Sequence, residues 1–348
     1  MNEALIDVLK WQGAACTAMG SPFSGDLLER ASAALAEQPT FQAIFAPWQG
    51  QDRRQLFHDA VALRWLGALH EIALEQPDGA LAAAYAGRDP ATAWPVIEGL
   101  MRDQEARIAD FMSHEPQTNE VRRSAVLLPG FLAIAAETGL PMRVLELGAS
   151  AGLNQLWDQR RYDLGAAGAW GPADAAVRLD IDWRGPPPPL EAPVQVAARA
   201  ACDRKPVDIA DPLQRRRLTA YVWPDQAERL ERLEAAMAQT LAAGITVEAA
   251  DAVAWAKREA EPKRGLATVV FHSVFITYLP AERQAALAAN MAAAGTRASN
   301  YAPLAWLRME PGADNPAVME LRLTLWPAGA DRLLATAHPH GAWIEWLV

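Results

Sequence analysis

Val144-Leu145-Glu146-Leu147-Gly148-Ala149-Ser150-Ala151-Gly152-Leu153-Asn154 is the stretch on which the reading of the chain turns. The apolar run from Arg143 to Gly148 reads as a buried strand, the small residues after it as a tight turn, and the residues beyond as a helix start. Small side chains let a backbone approach a ligand closely, and free N–H groups at a helix start favour a carboxylate or a phosphate. A dinucleotide site would need G-x-G-x-x-G; Ser150 stands in place of the second glycine and Leu153 in place of the third, so that fingerprint fails twice. A serine hydrolase would need G-x-S-x-G, which Gly148 to Gly152 satisfies, with His338 or His340 late in the chain as its histidine. No HGGG-type oxyanion segment precedes the turn, however, and no triad acid is clearly placed. Neither reading uses Glu146, a carboxylate set inside an apolar strand.

Outward from this stretch, β-like runs alternate with amphipathic helices from Pro141 onward, the pattern of an α/β, doubly wound, mostly parallel sheet. Strands are predicted at Arg143–Gly148, Val194–Ala200, Ile245–Ala249, Thr268–Phe271 and Arg297–Tyr301, with Leu321–Leu325 and Trp343–Leu347 as closing antiparallel partners. Pro224–Ala243 reads as a crossover helix, with Leu230, Leu233 and Met237 on one face and Gly244 as its stop. Upstream, Ala4 to Phe111 is a series of helical patterns, the clearest a single helix over Arg53–Leu74. The expected division is a helical domain over 1–115, a connecting helix or lid over 116–140, and the sheet domain over 141–348.

Composition excludes several function classes. The 348 residues carry a net charge of −10 with Lys and Arg scattered, so no nucleic-acid partner is expected. Two distant cysteines, Cys16 and Cys202, offer neither a disulfide framework nor a Cys-based zinc site, which suits a reducing cytoplasm. The start at Met1 to Asp7 lacks a signal-peptide pattern, and no apolar run approaches ~20 residues, so no membrane span is expected. Of the 13 Trp, Trp11 and Trp65 fit helix packing, whereas Trp157, Trp223 and Trp255 follow strand ends or flank helices. Nothing here indicates an oligomeric state.

The pattern E-x-G-x-S-x-G after an apolar strand resembles motif I of class I S-adenosylmethionine-dependent methyltransferases, D/E-x-G-x-G-x-G, with Ser150 departing from the central glycine. Together, ELGASAGLN, VWPDQ (222–226), TNEVRRSAVLLP (118–129) and HPHG (338–341) resemble the bacterial family catalogued as domain of unknown function 2332, over most of the chain. These resemblances imply a methyltransferase-like Rossmann fold with a helical N-terminal part and S-adenosylmethionine as cofactor. Glu146, Gly148, Ala149, Ser150, Gly152 and Asn154 then border the cofactor. The acid ending the second strand would hold its ribose: Asp203, with Asp180 or Asp182 as the fallback and loop solvation as the plain alternative. Asp251, ending the third strand, would meet the adenine amino group or merely cap the helix that follows.

Substrate-side candidates follow from position. His272 and Ser273 end the fourth strand, where carboxyl ends border a ligand crevice, and an imidazole there suits a general base or a structural hydrogen bond; Tyr278 follows in the same loop. DPPY/NPPY is absent, which weakens a nucleobase-amino acceptor. Asn119, Glu120 and Arg123 lie on the helix leading into the first strand, as part of a lid or as a solvated face. His338 and His340 share a face if extended and suit substrate contact or a turn; a metal would need a further ligand, with His272 the one attractive candidate, and none is expected. The expected activity is methyl transfer to an oxygen or nitrogen of a small-molecule acceptor. A non-catalytic ligand-binding protein of the same fold and a hydrolase built on Ser150 remain the alternatives.

Overall fold

The computed structural model describes residues 3–348. Two compact units divide the chain, one formed by Met1–Thr118 with Ile209–Glu231 and the other by Asn119–Asp208 with Arg232–Val348.

The helical unit contains α1 (Glu3–Ala18), α2 (Pro22–Glu37), α3 (Pro39–Ile44), α4 (Arg53–His58), α5 (Val61–Glu75), α6 (Ala80–Gly87), α7 (Pro90–Asp103) and α8 (Glu105–Met112). The helix expected over Arg53–Leu74 is broken into α4 and α5, because Ala60 takes a left-handed φ of 50° between them. Trp65 is fully buried, but Trp11 is half exposed, edge-on to Phe57. A later segment holding α10 (Pro212–Ala220) also belongs here. Its Asp225 accepts from Ser21 Oγ at 2.5 Å and from Phe23 N at 3.3 Å, fixing the start of α2, and Gln226 Nε2 donates to Met19 O. VWPDQ is therefore structural cement of the helical unit, and an insertion after the second central strand carries it there.

The sheet unit begins with α9 (Arg123–Thr138) and β1 (Met142–Leu147); the helix expected as a separate connector belongs to this unit. Next come β2 (Arg161–Asp163), β3 (Ala169–Trp170) and β4 (Arg178–Asp180), which form a small separate sheet, then β5 (Asp182–Arg184) and β6 (Val196–Asp203). α11 (Ala227–Ala242), of which residues from Arg232 on count here, leads to β7 (Glu248–Ala249), α12 (Ala252–Glu259), β8 (Ala267–Ser273), α13 (Ala281–Gly295) and β9 (Leu304–Pro311). β10 (Met319–Trp326), β11 (Asp331–Ala337) and β12 (Trp343–Trp346) end the chain.

The main sheet runs β5-β12-β11-β10-β9-β8-β1-β6-β7. Its portion β7-β6-β1-β8-β9 is parallel throughout, and β9 to β12 form an antiparallel meander. Two strand expectations fail. Arg297–Tyr301 is not a strand, since Ser299 and Ala302 close a tight turn ahead of Pro303, and β9 starts only at Leu304. Leu321–Leu325 and Trp343–Leu347 are not partners, because β11 lies between them.

Alternation along the strands assigns the two faces. Leu145, Leu147, Val270 and Trp306 pack with Val253 and Trp255 of α12 and with Leu287 and Met291 of α13. The intervening residues meet α9: Phe271 is edge-on to Phe131, which stacks flat on Trp157 at 3.9 Å, and Gly130 lies against Leu307. The sheet is thus a mixed, mostly parallel layer with helices on both faces, and strand order reverses between β1 and β8. In open α/β sheets the crevice at the carboxyl ends of two such strands is where ligands bind. No helix among the described residues is long and apolar enough to cross a membrane.

Candidate functional site at the carboxyl edge of the sheet

The turn after β1 is a run of left-handed residues: Gly148 (φ 66°), Ser150 (φ 52°) and Gly152 (φ 73°). Glycine tolerates this region, whereas serine reaches it at a cost that its surroundings must offset. Here they do so through hydrogen bonds. Ala149 N donates to Cys202 O at 3.0 Å, and Ala149 O accepts from Asn119 Nδ2 at 2.8 Å. Ser150 N donates to Asp203 Oδ2 at 2.9 Å, and Ser150 O accepts from Val207 N at 3.2 Å. The anion that this turn attracts is therefore the protein's own Asp203. The segment that follows, Leu153–Gln159, is a 3-10 stretch rather than the expected α-helix, so it presents no α-helical N-terminus to a phosphate.

Asp203 ends β6 beside the turn, with Oδ1 accepting from Lys205 N at 2.8 Å. Each carboxylate oxygen thus takes one backbone N–H and keeps a further lone pair. The fallback acids lie elsewhere. Asp182 is on β5, the edge strand of the main sheet, where its N donates to Ala342 O at 3.1 Å. Asp180 sits in the small sheet, ion-paired to Arg122 at 3.1 Å. Asp251, after β7, caps α12 by accepting from Ala254 N at 2.9 Å and is ion-paired to Arg283. Its hydrogen bond from Ala254 N, with help from Arg283, outweighs partial burial and holds its carboxyl below the usual range.

Glu146 points to the α9 face and is only 4% exposed. Gln155 Nε2 donates to its Oε2 at 3.0 Å. Burial pushes its carboxyl up to about 8, against the opposing pull of Gln155 and Arg160. Arg160 is itself fully buried: Nη1 donates to Ser124 Oγ at 2.7 Å, Asn154 Oδ1 at 3.1 Å and Val121 O at 3.2 Å, and Nη2 to Leu153 O. Asn154 Nδ2 donates to Asn119 Oδ1 at 3.4 Å, closing a buried network that braces Asn119 against the turn. Arg160 carries more of this network than any residue named from the sequence; only its charge amid apolar neighbours could have signalled it.

His338 and Arg123 come to the same edge. Arg123 Nε donates to Pro339 O at 3.0 Å, and His340 N donates to His338 Nδ1 at 3.0 Å. Burial and the neighbouring Arg122 hold His338 below the usual histidine range, against the pull of Glu120. With Nδ1 accepting, its neutral ring carries the proton on Nε2.

His272 and Ser273 end β8, but the His272 side chain lies on the opposite face from Glu146 and is fully buried. Trp306 Nε1 donates to His272 Nε2 at 3.1 Å; an indole N–H only donates, so Nδ1 carries the ring proton and donates to Glu310 Oε1 at 2.5 Å. Both ring nitrogens are committed, and His272 has no lone pair free for an acceptor's proton. Glu310 also accepts from Phe275 N and Ile276 N, so the unit anchors the loop after β8. Tyr278, in that loop, is 63% exposed. Glu310 was missed in sequence because it acts on residues some 35 positions earlier, through a strand pairing that no local pattern reveals.

The turn, Asp203, Asn119, Glu120, Asn154, Arg123 and the His338–Gly341 loop therefore gather at one edge of the sheet unit. No curated protein and no solved structure shows a significant match to the chain. The model of a bacterial family described as "Uncharacterized protein conserved in bacteria (DUF2332)" matches residues 7–346, and the chain belongs to that family.

Proposed function

We propose that this chain is an S-adenosylmethionine-dependent methyltransferase, with a class I Rossmann-like sheet, that methylates an oxygen or nitrogen of a small molecule. The observation that carries the reading is Asp203: its two oxygens each hold one backbone N–H and keep one lone pair, beside the turn at the reversal of strand order. That is the acceptor pair a ribose diol requires. Glu146, Asp203 and Asp251 stand at or next to the carboxyl ends of three adjacent parallel strands. The residues present thus fit the cofactor.

Bound S-adenosylmethionine would supply an electrophilic methyl group on sulfur. The chain's own task is alignment and exclusion of water. Asp203 would orient the ribose and Asp251 the adenine amino group, while Asn119 and the Arg160 network keep the turn in register. His272 is not assigned as a base, since both its nitrogens are bonded. Asn119, Glu120, Arg123, His338 and His340 border the edge where a small acceptor would approach.

The test is release of S-adenosylhomocysteine from S-adenosylmethionine on incubation with a panel of small hydroxyl and amine compounds. Turnover that Asp203→Ala abolishes supports the reading. Cofactor binding without turnover on any compound would favour a non-catalytic binding protein. The left-handed φ of Ser150 inside G-x-S-x-G favours one second reading, a hydrolase elbow. Against it, the histidine–carboxylate pair His272–Glu310 lies on the opposite face from Glu146, engaged with Trp306 and the loop after β8. Covalent labelling of Ser150 by a fluorophosphonate would support the hydrolase.

A further inference from the structure

The loop after β8 is under strain and covers the crevice. Val274, a β-branched residue, has a left-handed φ of 50°, a conformation such side chains adopt only when their surroundings impose it. What imposes it is visible. Val274 N donates to Met309 O at 2.8 Å, while the Glu310 carboxylate takes Phe275 N at 2.9 Å and Ile276 N at 3.2 Å. Glu310 is fixed in turn by His272, and His272 by Trp306. Gln284 Nε2 holds the far side of the loop through Ile276 O and Leu279 O.

This bracing sets the Phe275 ring on Gly148, so closely that a Cβ on Gly148 would overlap it. Gly148 follows β1 and Phe275 follows β8, the two strands between which the order reverses. The ring thus fills the place where a ligand of this architecture approaches the first strand.

We propose that Phe275 is a latch-held plug: Glu310, clamped by His272 and Trp306, keeps the ring on Gly148, and a ligand carrying adenosine and a sulfonium or thioether enters only when the loop swings away. The proposal rests on the cofactor reading above. Binding then carries the cost of populating the open loop, so removing the plug tightens binding.

Two measurements on the full chain decide it. Calorimetry with S-adenosylhomocysteine compares wild type with Phe275→Ala, and amide exchange over residues 274–279, without ligand, compares wild type with Glu310→Gln. Expected are binding by Phe275→Ala about tenfold tighter and faster exchange at 275 and 276 in Glu310→Gln. Equal or weaker binding by Phe275→Ala overturns the plug, weaker binding making the ring a wall of the site instead. Unchanged exchange in Glu310→Gln overturns the latch. If neither protein binds the probe, the cofactor reading and the plug's role toward it both fail, and exchange alone then judges the latch.

Discussion

Glu146→Gln is expected to stabilise the sheet unit, and increasingly so as the pH rises. Burial lifts the Glu146 carboxyl from an ordinary 4.5 to about 8. In the unfolded chain it ionises near its ordinary value, so between that pH and about 8 the folded state holds a proton that the unfolded state has released. Wild-type stability from this group is therefore intact at low pH, falls through that window and levels off above it. At about 1.4 kcal/mol per pH unit the full window is worth roughly 4 to 5 kcal/mol. Glutamine has no proton to lose and still offers an oxygen to Gln155 Nε2, which now lies 3.0 Å from Glu146 Oε2. Urea unfolding between pH 5 and 8, followed by pulsed amide exchange in a peptide spanning β1, reads the sheet unit alone. The advantage of the variant should grow by about 1 kcal/mol per pH unit, roughly 3 kcal/mol across the series. A difference that stays constant with pH, or that shrinks as pH rises, would refute the argument that burial governs this carboxyl.

Three other perturbations have defined outcomes. Trp306→Phe removes the donor to His272 Nε2 and leaves a small cavity; the buried acceptor left unmet should by itself cost about 1–3 kcal/mol in urea unfolding and speed exchange in the loop after β8. Arg160→Met strips donors from Ser124, Asn154, Val121 and Leu153 at once and should destabilise the unit by about 3–5 kcal/mol; a loss under 1 kcal/mol would mean that the network is not integral to the fold. Gly148→Ala places a Cβ at φ 66° and into the Phe275 ring, so its unfolding free energy should drop by about 1–3 kcal/mol, with less loss in a Phe275→Ala background because the steric conflict is gone.

What could be read from the sequence was what local pattern encodes. β1 and its turn were legible because a largely apolar run, broken only by Arg143 and Glu146, ends in small residues, a combination with few structural solutions. β11 was not, because Asp331-Arg332-Leu333-Leu334-Ala335-Thr336-Ala337 has neither alternation nor an apolar run; its strand state comes from β10 and β12 on either side. Arg297–Tyr301 was misread because its tyrosine lends strand character to what the bond between Ser299 and Ala302 closes as a turn. The segment 209–231 carries helix signals that would look the same in either unit, so its place in the helical unit depends on long-range partners such as Ser21 for Asp225. In the candidate site, Asp203 was identifiable as a strand-end acid and stands beside the turn, whereas the places of Asp182 on the edge strand β5 and of Asp180 in the small sheet depend on strand pairings that no local pattern encodes. His272 shows the limit most plainly: its position suited a base, and its partners Glu310 and Trp306, brought alongside by β9, give it another task.

The edge built by the Gly148–Gly152 turn and Asp203 is proposed to hold an adenosine-containing cofactor. Calorimetry of the full chain with S-adenosylmethionine and S-adenosylhomocysteine, repeated on Asp203→Ala with circular dichroism to check its fold, tests this most directly. One saturable site per chain, weakened at least about tenfold in a folded Asp203→Ala through loss of charge-assisted bonds, is the result expected. No heat from either compound, or equal affinity in the variant, would contradict it.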